Sequence, residues 1–171
     1  MDLDEVAAEL LKARGESLPA EETPKAIRRY YEQNGRDAFR ALERSAALVV
    51  ARSAAGTTGD RDTAEHNSDH GLAPNLICAL GGGTPENEAA YRLLRPGSRA
   101  IYLRERPELL FKRIVAGGVP PFFEGEDPWQ AFSTLAARRD ALYQDLADVV
   151  FELEGRSIGD LLPELIQRIE V

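Results

Sequence analysis

The sequence predicts an α/β protein, a three-layer α/β/α arrangement built on a small parallel sheet. Three observations predict it. Three short apolar runs, Leu76–Leu80, Ala100–Leu103 and Val149–Leu153, have the length of strands. Segments with helical spacing separate them, and parallel strands need crossovers of that kind. The chain's 171 residues, 43% hydrophobic and 29% charged, suit one compact domain with a sizeable core.

The helices follow from local chemistry. Asp4 to Arg14 is amphipathic, with Val6, Leu10 and Leu11 to one side and Gly15 to end it. Thr23 and Pro24 form a cap and first-turn pair for a helix running to Asn34, closed by Gly35. A longer helix spans Arg36 to Ala54, where Phe39, Leu42, Ala46 and Val49 lie close to one face. Further helices are expected over Pro85–Arg95, Pro107–Ala116, Pro128–Leu146 and Ser157–Ile169, the first three opening on proline. Leu76–Leu80 and Ala100–Leu103 are expected to pair directly, or another segment or chain to fill the gap between them, because open strand edges invite aggregation; direct pairing is favoured. Val149–Leu153 continues that sheet. The stretch 53–75 is polar and rich in turn formers, and reads as an insertion in a single domain covering 1–171.

Composition narrows the function. A net charge of -8 argues against a nucleic-acid surface, which would be basic. No apolar run is long enough to span a membrane as a helix. The one cysteine, Cys78, can form no internal disulfide and suits a reducing cytoplasm, as a structural thiol. His66 and His70 lie in the polar insertion beside Glu65 and Asp69, but a solvated loop seldom preorganises ligands, so no metal site is placed there.

The sharpest feature is LICALGGGTPENE, where an apolar run enters three glycines, Gly81, Gly82 and Gly83. Glycine loses much backbone entropy on folding, so a triple has a purpose. Either the turn needs angles other residues cannot reach, or something approaches the main chain. Upstream stands GRDAFRALERSAAL, with Arg40 and Glu43 three residues apart on one helix face. Downstream come AIYL, a proline-bearing loop at 117–127, and RRDALY.

In that order these segments resemble the shikimate kinase family of P-loop kinases, from about Gly35 to the end. The resemblance implies a P-loop-kinase-like fold, transfer of a phosphoryl group from ATP with magnesium, and shikimate or a similar small hydroxy acid as acceptor. It implies that Arg40 grips the acceptor carboxylate, supported by Glu43, and that Arg139 of RRDALY joins it. A guanidinium fork matches a carboxylate bidentately. Gly81, Gly82 and Gly83 would admit the acceptor's hydroxyls, and Arg113 would pack on the adenine. MDLDEV resembles the family's Asp-x-Asp, which implies Asp2 near magnesium and Asp4 as the group that holds or deprotonates the acceptor hydroxyl. An acidic first turn that favours the helix dipole explains the same residues.

Two departures qualify the resemblance. The usual first strand and its G-x-x-x-x-G-K-[ST] phosphate loop have no counterpart in these 171 residues. In the lid-like loop, GGVPPFFEG, Pro120 stands where the family has an arginine, while Phe122 and Phe123 keep the apolar part. Two readings remain open. One is a phosphotransferase seen without its amino-terminal segment; the other is a non-catalytic relative that binds a small hydroxy acid, or a protein partner, through the acceptor half.

Overall fold

A computed structural model describes residues 1–15, 23–55, 76–116 and 127–169. Most of the polar insertion, both histidines, Pro120 and nearly all of the lid-like loop lie outside the described residues. The described chain is a helix-rich α/β fold with a small parallel sheet, and it divides into two compact units, Met1–Ser98 and Arg99–Val171.

The first unit is helical. Helix α1, Leu3–Ala13, is capped by Asp2, whose side chain accepts from the Asp4 amide. Helix α2, Thr23–Ala54, is two helices joined at Gly35, where φ is 78° and ψ -178°. That left-handed φ is what a glycine supplies, and it turns the chain where the sequence predicts a stop. Leu3, Ala7, Ala8 and Leu11 of α1 pack on Ile27, Tyr30, Leu42, Ala46 and Val50 of α2. Small alanines at the contact let the two helices approach closely. Past residue 76 the chain makes a 3₁₀ turn at Thr84–Glu86 and then α3, Glu88–Leu94. One helix was expected over Pro85–Arg95. Asn87, outside helical angles at φ -96° and ψ 83°, separates the two pieces.

Two expectations need correction here. Leu76–Leu80 forms no strand; within it only Ala79 pairs, in an isolated parallel bridge to Asp2. The Ala79 amide donates to the Met1 carbonyl (2.8 Å), and the Leu3 amide donates to the Ala79 carbonyl (3.1 Å). Among the described residues this segment does not pair with Ala100–Leu103: the sheet holds two strands, Ile101–Arg104 and Val149–Glu152. Apolar residues alone do not choose a partner strand. Ile77 is 82% exposed.

The second unit holds the sheet. Strand β1, Ile101–Arg104, runs parallel to β2, Val149–Glu152, with Ile101 opposite Val149 and Arg104 opposite Glu152. Helices α4, Pro107–Ala116, and α5, Pro128–Leu146, make the crossover a parallel pair requires. Asp127 caps α5 by accepting from the Trp129 and Gln130 amides. Phe151 and Leu153 pack on Leu161 of α6, Ile158–Ile169. Phe111, Trp129 and Phe132 stack edge-on or tilted between α4 and α5, with centroids 5.3 to 6.1 Å apart.

Candidate functional site

The bridge between Asp2 and Ala79 brings the start of α1 to the glycine loop. A Cβ added to Gly81 would lie 3.5 Å from Asp4 Oδ1 and 3.6 Å from Thr84 Oγ1. None of Gly81, Gly82 and Gly83 has a left-handed φ, and Gly83 sits in the right-handed region at φ -96°. A left-handed φ is therefore not the reason for these glycines, and at Gly81 a Cβ would meet its neighbours at ordinary contact distance.

Glu43 lies 4% exposed and is fully engaged. Its Oε1 accepts from the Thr84 hydroxyl at 2.9 Å, and its Oε2 accepts from the Asn87 amide at 3.0 Å. The same Asn87 nitrogen donates to the Arg40 carbonyl at 2.9 Å. Glu43 therefore reaches Arg40 through Asn87 and the main chain. Arg40 is half-buried, and its guanidinium has no hydrogen bond or ion pair among the described residues. A half-buried cation without a protein counter-ion among the described residues is suited to a carboxylate ligand.

Burial pushes the Asp4 carboxyl above its ordinary value of 3.8, and the nearby Asp2 and Glu43 carboxylates push it further. A group whose folded pKa is raised holds its proton longer in the folded chain, so its ionisation costs stability. The cost appears as pH rises through 3.8 and is complete above the folded value. We expect Asp4→Asn to melt higher than the parent chain at pH 7, with the difference gone below pH 3.8. Scanning calorimetry at both pH values checks this; a lower melting temperature for the variant at pH 7 would refute it.

Asp2 uses Oδ1 to cap α1 through the Asp4 amide at 2.8 Å, which leaves Oδ2 for another partner. Among the described residues no group of three carboxylate, histidine or cysteine side chains could hold a metal. One carboxylate oxygen is compatible with magnesium, which commonly takes one or two carboxylates with phosphates and water. Cys78 is half-buried against the α1–α2 core, and burial raises its thiol pKa, so it is a poor nucleophile.

Arg113 and Arg139 belong to the second unit. Arg113, on α4, is mostly exposed, with Nη2 3.4 Å from the wholly buried carboxylate of Glu105. That carboxylate also accepts from the Arg106 amide (2.9 Å) and from the Gly155 amide (3.1 and 3.2 Å). Glu105 thus ties the loop after β1 to the loop after β2, at the carboxyl ends of parallel strands, where α/β sheets bind ligands. Gly155 has φ 74°, and a Cβ there would meet Leu109 Cδ1 at 3.1 Å. Arg139 lies on α5, and its neighbour Asp140 is fixed by Arg104 (2.8 and 2.9 Å) and by the Tyr102 hydroxyl (3.0 Å). The Arg104 guanidinium holds the Asp140 carboxyl below its ordinary range.

Three residues of these sites went unread in the sequence: Thr84, Asn87 and Glu105. Glu105 carries a signal, an acid at the carboxyl end of an apolar run. Thr84 and Asn87 carry none, since a polar residue just past a glycine loop is ordinary turn chemistry.

A family model for shikimate kinase matches residues 55–170. That span includes Gly81–Gly83, Arg113 and Arg139, whereas Asp2, Asp4, Arg40 and Glu43 precede it. The chain is similar to the shikimate kinase of Pseudomonas aeruginosa (strain LESB58), 31% identical over 97 residues, 57% of this chain and 56% of that protein. It therefore spans little more than half the length of that relative. A longer match, to the shikimate kinase of Chlorobaculum tepidum, is 27% identical over 154 residues, 85% of this chain and 70% of that one. Among solved structures, the shikimate kinase of Acinetobacter baumannii in complex with shikimate superposes with a TM-score of 0.68 at 22% identity. It covers 98% of this chain and 76% of that chain. The shikimate kinase of Bacteroides thetaiotaomicron gives 0.64 at 18% identity, over 100% of this chain and 83% of that one. Among the described residues, no helix is long and apolar enough to cross a membrane.

Proposed function

This chain belongs to the shikimate kinase family, and from that premise we propose that its Met1–Ser98 unit binds shikimate or a similar small hydroxy acid as phosphoryl acceptor. One observation carries the reading: the Arg40 guanidinium is half-buried with no protein partner among the described residues, on a turn of α2 whose carbonyl Asn87 ties to the segment after the glycine loop. Arg40 would take the acceptor carboxylate, and Gly81–Gly83 would leave room for its ring. Asp4, its proton affinity raised, would accept the proton of the reacting hydroxyl. As the hydroxyl oxygen bonds to the γ-phosphorus of ATP, the bond to the ADP oxygen breaks. Magnesium, when bound, would neutralise charge on the phosphates, and Asp2 is the residue suited to hold it. The resemblance alone supports Arg139 as a second carboxylate ligand and Arg113 as a contact for the adenine. The lone cysteine suits a cytoplasmic setting.

A second reading is favoured by two features of the sequence. These 171 residues contain no G-x-x-x-x-G-K-[ST] sequence, and Pro120 occupies the lid position of an arginine. An arginine that stabilises a phosphoryl-transfer transition state can be worth about 10³-fold in rate. On this reading the unit binds its hydroxy acid, or a protein partner, without performing chemistry. We expect shikimate to raise the melting temperature. We also expect titration calorimetry to find no micromolar, magnesium-dependent affinity for ATP. Absence of any shikimate-dependent shift would end the acceptor reading, and micromolar ATP binding would end the second one.

A further inference from the structure

Glu43, Thr84 and Asn87 are a closed polar cluster in an otherwise apolar interior, respectively 4%, 0% and 4% exposed. A buried carboxylate is tolerated only when its oxygens find donors, and here each oxygen has one. The donors come from one short stretch that begins immediately after the third glycine. Thr84 also closes the glycine loop through its own amide, which donates to the Gly81 carbonyl at 3.0 Å. Asn87 uses a single amide nitrogen for two acceptors one helical turn apart, the Glu43 carboxylate and the Arg40 carbonyl. Two atoms of the same turn of α2 are thereby pinned to the segment that carries the loop. A single pin would let α2 rotate about the contact; two pins fix both its rotation and its height.

We propose that Thr84 and Asn87 are positioning residues that lock the Arg40 turn of α2 against the glycine loop, and so set the distance over which one ligand must reach. This rests on the acceptor reading given above and deepens it. Both act through Glu43, and Asn87 also through the Arg40 carbonyl. They define where a carboxylate on Arg40 and a hydroxyl beside Asp4 can be engaged together, and therefore which hydroxy acids are long enough. Displacement of a binding group by about 1 Å can cost on the order of 10²-fold, so a loosened clamp has a measurable consequence.

The test compares the parent chain with Thr84→Val, which removes the hydroxyl at nearly constant volume, with Asn87→Ala, and with Thr84→Ser, which restores the donor. Shikimate affinity by calorimetry, melting temperature and amide hydrogen exchange are measured on each. Thr84→Val and Asn87→Ala are expected to weaken shikimate binding by about tenfold or more, and Thr84→Ser to return it to within about threefold. Amide exchange over 81–87 should quicken by about tenfold in the two loosening variants, while the α1–α2 core stays protected. Thr84→Val that binds shikimate as the parent does overturns the proposal. If the parent itself binds no shikimate, the acceptor reading fails, and exchange alone decides the clamp: quickened exchange sustains it, unchanged exchange overturns it. Should Thr84→Val fail to fold, the Asn87→Ala and Thr84→Ser pair gives the same decision.

Discussion

Replacing Arg40 by alanine is expected to abolish shikimate binding while leaving the fold intact. The guanidinium is the cation at the candidate acceptor site without a protein partner among the described residues, so the ligand carboxylate would be its counter-ion. Truncating one member of a charged, hydrogen-bonded pair in a binding site costs about 2–5 kcal/mol, or roughly 30- to 4,000-fold in affinity. Stability should hardly change, because the Arg40 contact that matters to the fold is its main-chain carbonyl, taken by Asn87. Side-chain truncation leaves that bond in place. Arg44→Ala, an exposed arginine one turn further along α2, is the control and should bind as the parent does. Calorimetric titration with shikimate settles the matter, together with the ligand-induced shift in melting temperature. An Arg40→Ala chain that still binds within threefold of the parent would place the carboxylate elsewhere.

The largest stability effect is expected at Phe151. Its side chain is 1% exposed and forms the centre of the small core of the second unit, against Leu153 and Leu161 with Ile101 and Leu165 around them. The Arg168 guanidinium lies 5.8 Å from its ring. So small a core has few neighbours able to close over a lost ring, and Phe151→Ala should cost about 3–5 kcal/mol. The one tryptophan of the chain, Trp129, lies in the same unit, in ring contact with Phe111 and Phe132. Its fluorescence during denaturant unfolding therefore reports on this unit directly. A midpoint shift equivalent to less than about 1 kcal/mol would mean that the site collapses around the missing ring, contrary to the packing described.

Helix positions were legible along the chain because their causes are local. Pro107 and Pro128 open α4 and α5 where first-turn prolines belong, and Gly35 breaks α2 with the one backbone angle that glycine supplies freely. The two strands of the sheet were read within a residue, since a short apolar run between two helices has few other uses. Leu76–Leu80 has the same composition and became no strand. A strand exists by pairing, and its partner there is the single residue Asp2, distant in sequence and acidic rather than apolar.

The candidate site divides along the same line. Residue type and order determined by themselves that this chain resembles a kinase of small hydroxy acids, that Arg40 and Glu43 share a helix face, and that three glycines end an apolar run. Tertiary structure alone decided the rest. It set Asp4 against Gly81, and it closed both oxygens of Glu43 with Thr84 and Asn87, 41 and 44 residues away in sequence. It also showed that none of the three glycines takes a left-handed φ. The physical reason is the range of the interactions. Periodicity, caps and breaks act over a few residues and are written in the chain's local order. A buried carboxylate takes whichever donors the packing of distant segments brings within about 3 Å, and no local pattern specifies them.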